Sequence, residues 1–285
     1  MSLIDHLELA KPRLVTLVLL VALASMMLAE SPRIHVVKLV EFAALGYAAL
    51  GGSAMLNNYL DASLDAVMRR TSRRLLARRE ANPQHVLGFG VALVVCSTIV
   101  ASYMFNPLTG IIMCLGAFLY SYVYTMLKRR TPHAVYVGSI PGALPAIGGW
   151  AAASNNSWVT PLLIFATVFL WQPGHFWSLA YYYKEDYLRA RIPVLPAVAN
   201  TRTVGVGISV FNSALIAPTL LLSYATPIWG LYQPIIIMLD VSYAAYTLRR
   251  CLEADPTSYH SLFRASIVYM SIFVFLVAVS AFLDH

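Results

Sequence analysis

Residues 56–74 read LNNYLDASLDAVMRRTSRR, where the long apolar run 36–58 gives way to a cluster of arginines. Within it Asn57, Asp61 and Asp65 stand four residues apart. Each such step turns an α-helix by about 400°, so the three side chains drift by about 40° per step and share one face. An amide and two carboxylates on one stripe at the mouth of an apolar helix are a poor way to build a core, because buried charge is costly. They are a good way to hold a hydrated divalent cation against a phosphate-bearing ligand. Mg²⁺ keeps several waters and is usually held through one or two carboxylates plus phosphate oxygens.

The composition extends the first half of that reading to the whole chain. Of 285 residues, 59% are apolar and 12% are charged. A soluble domain carries about 25% charged residues, so this chain lacks the polar surface to be wrapped in water. It reads as an all-α polytopic membrane protein whose solvent is the lipid bilayer. Apolar windows fall at about 14–30, 36–58, 86–104, 108–127, 135–153, 159–181, 204–223, 228–248 and 265–283. These predict nine transmembrane helices in a single domain over 1–285, with no separate extramembrane domain. The window 135–153 is the least regular: Gly138, Pro141, Gly142, Pro145, Gly148 and Gly149 would break a helix in water. In a membrane, neighbouring helices re-satisfy such a backbone.

Lysine and arginine set the orientation. With nine spans, eighteen of the twenty basic residues fall on one side, leaving Arg33 and Lys38 on the other. The N-terminus is therefore expected in the cytoplasm and the C-terminus outside. Without the fifth span this bias would collapse. The opposite-side connections, near 105–107, 154–158 and 224–227, are short and uncharged. The net charge of +7 is thus a topological signal, and no nucleic-acid partner is expected. No cleavable leader is expected from MSLIDHLELAKPR, which lacks an early apolar core. Cys96, Cys114 and Cys251 fit no metal-ligand spacing, and two of them fall in apolar runs and read as small buried hydrophobes.

The polar chemistry gathers on the basic side. Arg70 and Arg74 are again four apart, and guanidinium forks suit a diphosphate. Thr71 between them can cap a turn. A solvated helix end would explain the arginines equally well, but not two Asp and an Asn in register. A second loop, WQPGHFWSLAYYYKEDYLRARIPVLP, brings Lys184, Glu185 and Asp186 just past a span, as a second cation or diphosphate half-site or as an ordinary polar loop. In it His175 lies within an apolar span between Trp171 and Trp177, either functional or a hydrogen-bonded packing residue. A third, YSYVYTMLKRRTPH, spaces Tyr120, Tyr124 and Lys128 by four. The tyrosine faces can shield a developing carbocation; an interfacial aromatic belt is the more common use of such a pair. Lys128 either meets phosphate or follows the positive-inside bias.

Asn57-Asn58-Tyr59-Leu60-Asp61-Ala62-Ser63-Leu64-Asp65, with Arg70-Thr71 and Arg74, resembles the first aspartate-rich motif of the intramembrane UbiA-type prenyltransferases. Within that superfamily the chain looks most like the protohaem IX farnesyltransferase (haem O synthase) branch. Lys11-Pro12-Arg13, Leu127-Lys128-Arg129-Arg130-Thr131-Pro132, Gly142-Ala143-Leu144-Pro145, Trp171-Gln172-Pro173, His175-Phe176-Trp177 and Ile192-Pro193-Val194-Leu195-Pro196 carry that likeness, over about residues 7–200. The chain departs from the branch at Leu75 and Gly174, where prolines are usual, and at Ala134 and Arg191.

The resemblance implies a UbiA-like bundle with a cytoplasmic cap formed by the connections after the second, fourth and sixth spans, in a bacterial-type inner membrane. It implies transfer of a farnesyl group from farnesyl diphosphate to the 2-vinyl group of haem b, with addition of water, giving haem O. Mg²⁺ held by Asp61, Asp65 and Asn57 would neutralise the leaving diphosphate, with Arg70, Arg74 and Lys128 assisting. Asp186, as a further metal carboxylate, and Lys184 would complete the opposite wall. Such electrostatic stabilisation is worth several kcal/mol in a low-dielectric site. Tyr124 would face the prenyl cation, and His175 would ligate or orient the haem acceptor. A haem A synthase or an oxidase-assembly factor would receive the product. The rivals are a UbiA-type enzyme acting on another aromatic, quinone-precursor or chlorin acceptor and, from a different class, a secondary transporter, which would place its ionisable groups near the membrane midplane.

Overall fold

Three of the long helices start on the same two-residue signal. At Asn82-Pro83, Asn106-Pro107 and Asp255-Pro256 the first side chain accepts backbone N–H groups of the opening turn, while proline takes the position whose N–H needs no partner. Each cap is worth about 1 kcal/mol. The computed structural model describes residues 3–153, 157–225 and 229–282, and every regular element among them is helical. In chain order these are α1 (Leu3–Leu9), α2 (Pro12–Glu30), α3 (Val36–Asp65), α4 (Pro83–Met104), α5 (Pro107–Leu127), α6 (Ala134–Ala152), α7 (Val159–Tyr182), α8 (Lys184–Arg189), α9 (Leu195–Val198), α10 (Thr201–Ala225), α11 (Trp229–Glu253) and α12 (Pro256–Ser280). The stretch Leu119–Tyr124 of α5 is wound as a π-helix, and α10 is interrupted at Leu215.

The apolar windows coincide with α2–α7 and α10–α12. Residues 154–156 and 226–228, in two of the expected connections, and the C-terminal residues 283–285 lie outside the described residues. Among the described residues, seven helices are long and apolar enough to cross a membrane. The helices α6 and α11 are also long but fall short of that apolarity; the first carries Gly and two Pro, the second Asp240 and two Arg. The irregular window is a continuous helix all the same, because α6 is packed on α2, α5 and α7, which shield its proline-interrupted backbone from lipid.

Helix packing runs in a circuit. The helix α3 lies on α4, α4 on α5, α5 on α6 and α6 on α7; α7 packs on α10 and α12, α10 on α11, and α12 returns to α2. Outward faces are apolar: Val91, Val95 and Ile99 on α4, and Ile111, Leu115 and Phe118 on α5, are all exposed. Inward faces carry polar groups, several of which tie one helix to another. Ser25 donates to the Ala146 carbonyl (2.7 Å), tying α2 to α6, and Asn106 Nδ2 donates to the Ala151 carbonyl (2.7 Å). This is the inside-out polarity that lipid imposes, and it makes the chain a multi-pass integral membrane protein.

The same physics corrects the cysteines. Cys96 and Cys114, expected as small buried hydrophobes, lie exposed on outward helix faces. In a bilayer an apolar run does not distinguish inside from outside. At the basic end of the bundle the connections 66–82, 128–133 and 183–200 converge. The Arg70 amide donates to Asp186 Oδ2 (2.9 Å), and the Arg129 guanidinium reaches the Leu60 carbonyl.

Candidate active site

A cavity of about 970 Å³ opens at the basic end and runs inward between α2, α3, α5, α6, α7 and α12. Pockets for small molecules span about 300–1,000 Å³, so this one is large enough to take more than a single compact ligand. Its outer end is lined by Lys11, Arg13, Asn57, Asp61, Asp65, Arg70, Arg74 and Lys128; the deeper wall is apolar and aromatic.

The stripe falls on one face of α3 as its spacing requires, and all three members are buried. Asn57 Nδ2 donates to Asp61 Oδ2 (2.9 Å) and to Thr125 Oγ1 of α5 (2.8 Å). Lys128 pairs with Asp61 Oδ2, and Arg129 lies 3.4 Å from Asp61 Oδ1. Arg74 Nη1 donates to both oxygens of Asp65, at 2.8 and 2.7 Å. Thr71 does not cap a following turn; its hydroxyl donates back to the Asp65 carbonyl (3.3 Å), closing the loop that returns Arg74 to the stripe. Five cationic side chains line the cavity against the two carboxylates. The surplus is positive, which suits an anionic ligand.

Lys11 is the residue to which sequence reasoning gave no role. It sits between α1 and α2 with φ 52° and ψ 60°, a left-handed conformation that costs a non-glycine residue about 1–2 kcal/mol. The turn sends its side chain into the cavity, where Nζ donates to Asn57 Oδ1 at 2.6 Å. Burial, then the neighbouring Arg74 and Lys128, pull its pKa down to about 7. The available signal was Pro12: a helix starting there leaves Lys11 at the same membrane end as the stripe.

Tyr120 and Tyr124 face the cavity, whereas Tyr122 is 54% exposed. The aromatic-belt reading therefore gives way for this pair. The π-helical turn stacks the two rings with centroids 6.3 Å apart, and Lys128 Nζ lies over the Tyr124 ring at 5.6 Å. Single π-turns inside α-helices are frequent at functional sites. Gly138 of α6 makes room for Tyr124, since a Cβ there would stand 2.6 Å from the ring.

The second half-site is arranged differently from expectation. Asp186 is buried, but neither it nor Lys184 lines the cavity. The Asp186 carboxylate is occupied by the Arg70 amide and by Arg189, 3.6 Å away. Asp186, with Glu185, belongs instead to a shallower concavity beside Arg69, Arg70, Tyr182, Tyr183 and Arg189, in which Arg70 lies over the Tyr183 ring. Arg70 borders both spaces.

His175 lies in the deeper wall, its ring stacked on Trp171 and tilted against Phe263 of α12. Among the described residues no three His, Cys, Asp or Glu side chains form a metal cluster. A cation on the stripe would thus complete its shell with ligand oxygens and water. The carboxylates sit at one end of the bundle, already paired with cations, unlike the midplane ion sites of transporters.

The profile of the UbiA prenyltransferase family matches residues 18–279. Protoheme IX farnesyltransferase of Rhizorhabdus wittichii is 38% identical over 276 residues, spanning 93% of this chain and 90% of that protein. The protein of the same name in Streptomyces avermitilis is 36% identical over 288 residues, spanning 96% and 92%. Among solved structures, a digeranylgeranylglyceryl phosphate synthase superposes with a TM-score of 0.75 at 12% identity, covering 98% of each chain. A UbiA homolog from Archaeoglobus fulgidus, bound to DMAPP and Mg²⁺, gives 0.65 at 16% identity over 96% of this chain and 99% of that one. At such identities the likeness is one of fold.

Proposed function

This chain belongs to the UbiA prenyltransferase family, and from that premise we propose that it transfers a farnesyl group from farnesyl diphosphate to the 2-vinyl group of haem b, forming haem O. Relatives named for that reaction match 93–96% of it at 36–38% identity. The observation that carries the reading is the cavity: a cation-rich mouth around two carboxylates, continuous with an apolar interior that holds one imidazole.

The donor set fits Mg²⁺ carried with a diphosphate. Asn57, Asp61 and Asp65 offer hard oxygens on one stripe and lack a third carboxylate of their own, so ligand oxygens would complete the shell. When bound there, Mg²⁺ supplies positive charge to the departing diphosphate. The chain's own residues do the rest. Arg74, Lys128 and Lys11, now facing carboxylates or an amide oxygen, and Arg70, now over the Tyr183 ring, can turn to phosphate oxygens as Asn57, Asp61 and Asp65 take the cation. The faces of Tyr124 and Tyr120 line the path of the allylic carbon, and a cation over a ring face gains about 0.5–2 kcal/mol. The apolar wall holds the farnesyl tail and keeps water from the reacting carbon until the new bond has formed. Asp186 acts from behind, holding the backbone of Arg70 in place. Lys184 lines neither concavity.

The gathering of basic residues at this end supports a cytoplasmic mouth, nine crossings in a bacterial-type inner membrane, and a C-terminus outside. Haem b and farnesyl diphosphate are the substrates, and a haem A synthase or oxidase-assembly protein is the proposed recipient. The deciding measurement is mass spectrometry of haems extracted from cells expressing the chain. A farnesylated, hydrated haem is expected; an unmodified haem pool with a farnesylated aromatic acid or chlorin would redirect the assignment to another acceptor.

A further inference from the structure

His175 makes its hydrogen bond to a hydroxyl that also serves a second acceptor. Its Nδ1 lies 2.6 Å from Ser266 Oγ of α12. The same hydroxyl lies 2.6 Å from the Phe263 carbonyl, which can only accept. Tyr243 of α11, nearby, receives the Asn212 amide at 3.0 Å. A serine hydroxyl has one hydrogen and two lone pairs. With its hydrogen on the Phe263 carbonyl, a lone pair receives Nδ1–H of His175. The imidazole is then neutral with its proton on Nδ1, and Nε2 keeps a lone pair that no hydrogen bond of His175 uses.

The surroundings hold that geometry rigidly. Trp171 stacks on the imidazole (centroids 4.2 Å, 22°) and donates its indole N–H to the Ser266 carbonyl at 2.8 Å. Phe263 closes the other side at 4.7 Å. Gly174, where the family usually has proline, leaves the space that the Asn212 side chain fills; a Cβ at 174 would overlap it. Ser266 and Asn212 are both buried.

We propose that Ser266 is the positioning residue for His175, holding it as the Nδ1–H tautomer with Nε2 bare, as an axial nitrogen donor to the iron of a metalloporphyrin acceptor. The proposal rests on the reading that the acceptor is haem. Imidazole is a common axial ligand of haem iron, and the partner of its other nitrogen sets tautomer and basicity; losing such a partner typically costs 10–100-fold in affinity.

The test titrates purified full-length protein with iron(III) protoporphyrin IX and, separately, with metal-free protoporphyrin IX, followed by absorbance. Wild type, Ser266→Ala, Ser266→Thr and His175→Ala are compared, with farnesyl transfer to haem assayed in parallel. In Ser266→Ala the iron porphyrin should bind about 10-fold or more weakly and lose the nitrogen-ligated Soret band. Ser266→Thr, which keeps the hydroxyl, should recover both. Metal-free porphyrin should bind all four proteins alike, reporting an intact cavity. An unchanged spectrum and affinity in Ser266→Ala would overturn the proposal, as would equal losses for the two porphyrins. If the wild type still farnesylates haem in that case, the inference alone has failed; if the wild type makes no farnesylated haem, the functional reading has failed with it.

Discussion

At the mouth of the cavity the polar groups are ionic and come largely from one short stretch of chain, whereas around His175 they are neutral and come from four helices. Asp61 and Asp65 each meet a cation, and the pairs stand where ligand and water can exchange with them. His175 with Ser266, and Tyr243 with Asn212, form neutral hydrogen-bonded pairs, the first closed off by Trp171 and Phe263. The difference follows from depth. Near the basic end, charge can be hydrated or paired; deeper in the bundle an unpaired charge costs several kcal/mol, which favours neutral donors and acceptors around His175. One region is built to meet a changing charge, the other to present a fixed lone pair.

The comparison breaks most sharply at Asp61. Asp61→Asn keeps the shape and the Asn57 contact but removes the charge, and farnesyl transfer should fall by about 10²–10³, the usual cost of losing one group aimed at transition-state charge. A chelator should produce a similar loss in the wild type, reversed by Mg²⁺. Iron-porphyrin binding, read by absorbance, should be unaffected, because it belongs to the deeper region. Activity near wild type in Asp61→Asn would reduce the stripe to a solvated helix end.

Trp171→Phe probes the other region with a smaller effect. The ring that stacks on His175 remains, while the indole hydrogen bond to Ser266 is lost, at about 1 kcal/mol. Thermal unfolding should shift slightly downward and porphyrin affinity should weaken several-fold, with KM for farnesyl diphosphate unchanged. A selective rise in that KM would mean that the two regions are coupled through α7. The smallest effect is expected at Cys114→Ala, on an outward face away from both regions. Activity should be unchanged and stability should move by no more than about 0.5 kcal/mol; a larger loss would reveal a protein contact on the lipid face.

Legibility in the sequence follows the same division. The helices were readable because apolar runs of span length are local features, and the Asn-Pro and Asp-Pro starts of α4, α5 and α12 mark where three of them begin. The Asp61–Asp65 register was readable because a four-residue step is itself helix geometry. The inward turn of Tyr120 and Tyr124 was not, since the π-turn rotates everything beyond it. Nor was the outward placement of Cys96 and Cys114, since lipid and core are equally apolar.

By itself, then, the sequence determined a membrane-spanning helical chain with a carboxylate stripe at its basic end, because hydropathy and i, i+4 spacing are properties of adjacent residues. Only the tertiary structure decided that Lys11 meets Asn57 across 46 residues, that Asp186 braces Arg70 from outside the cavity, and that Ser266 holds His175 across 91 residues. Those contacts are single neutral or paired polar groups on separate helices and connections. No period or spacing records them, because their partners are chosen by how the helices pack.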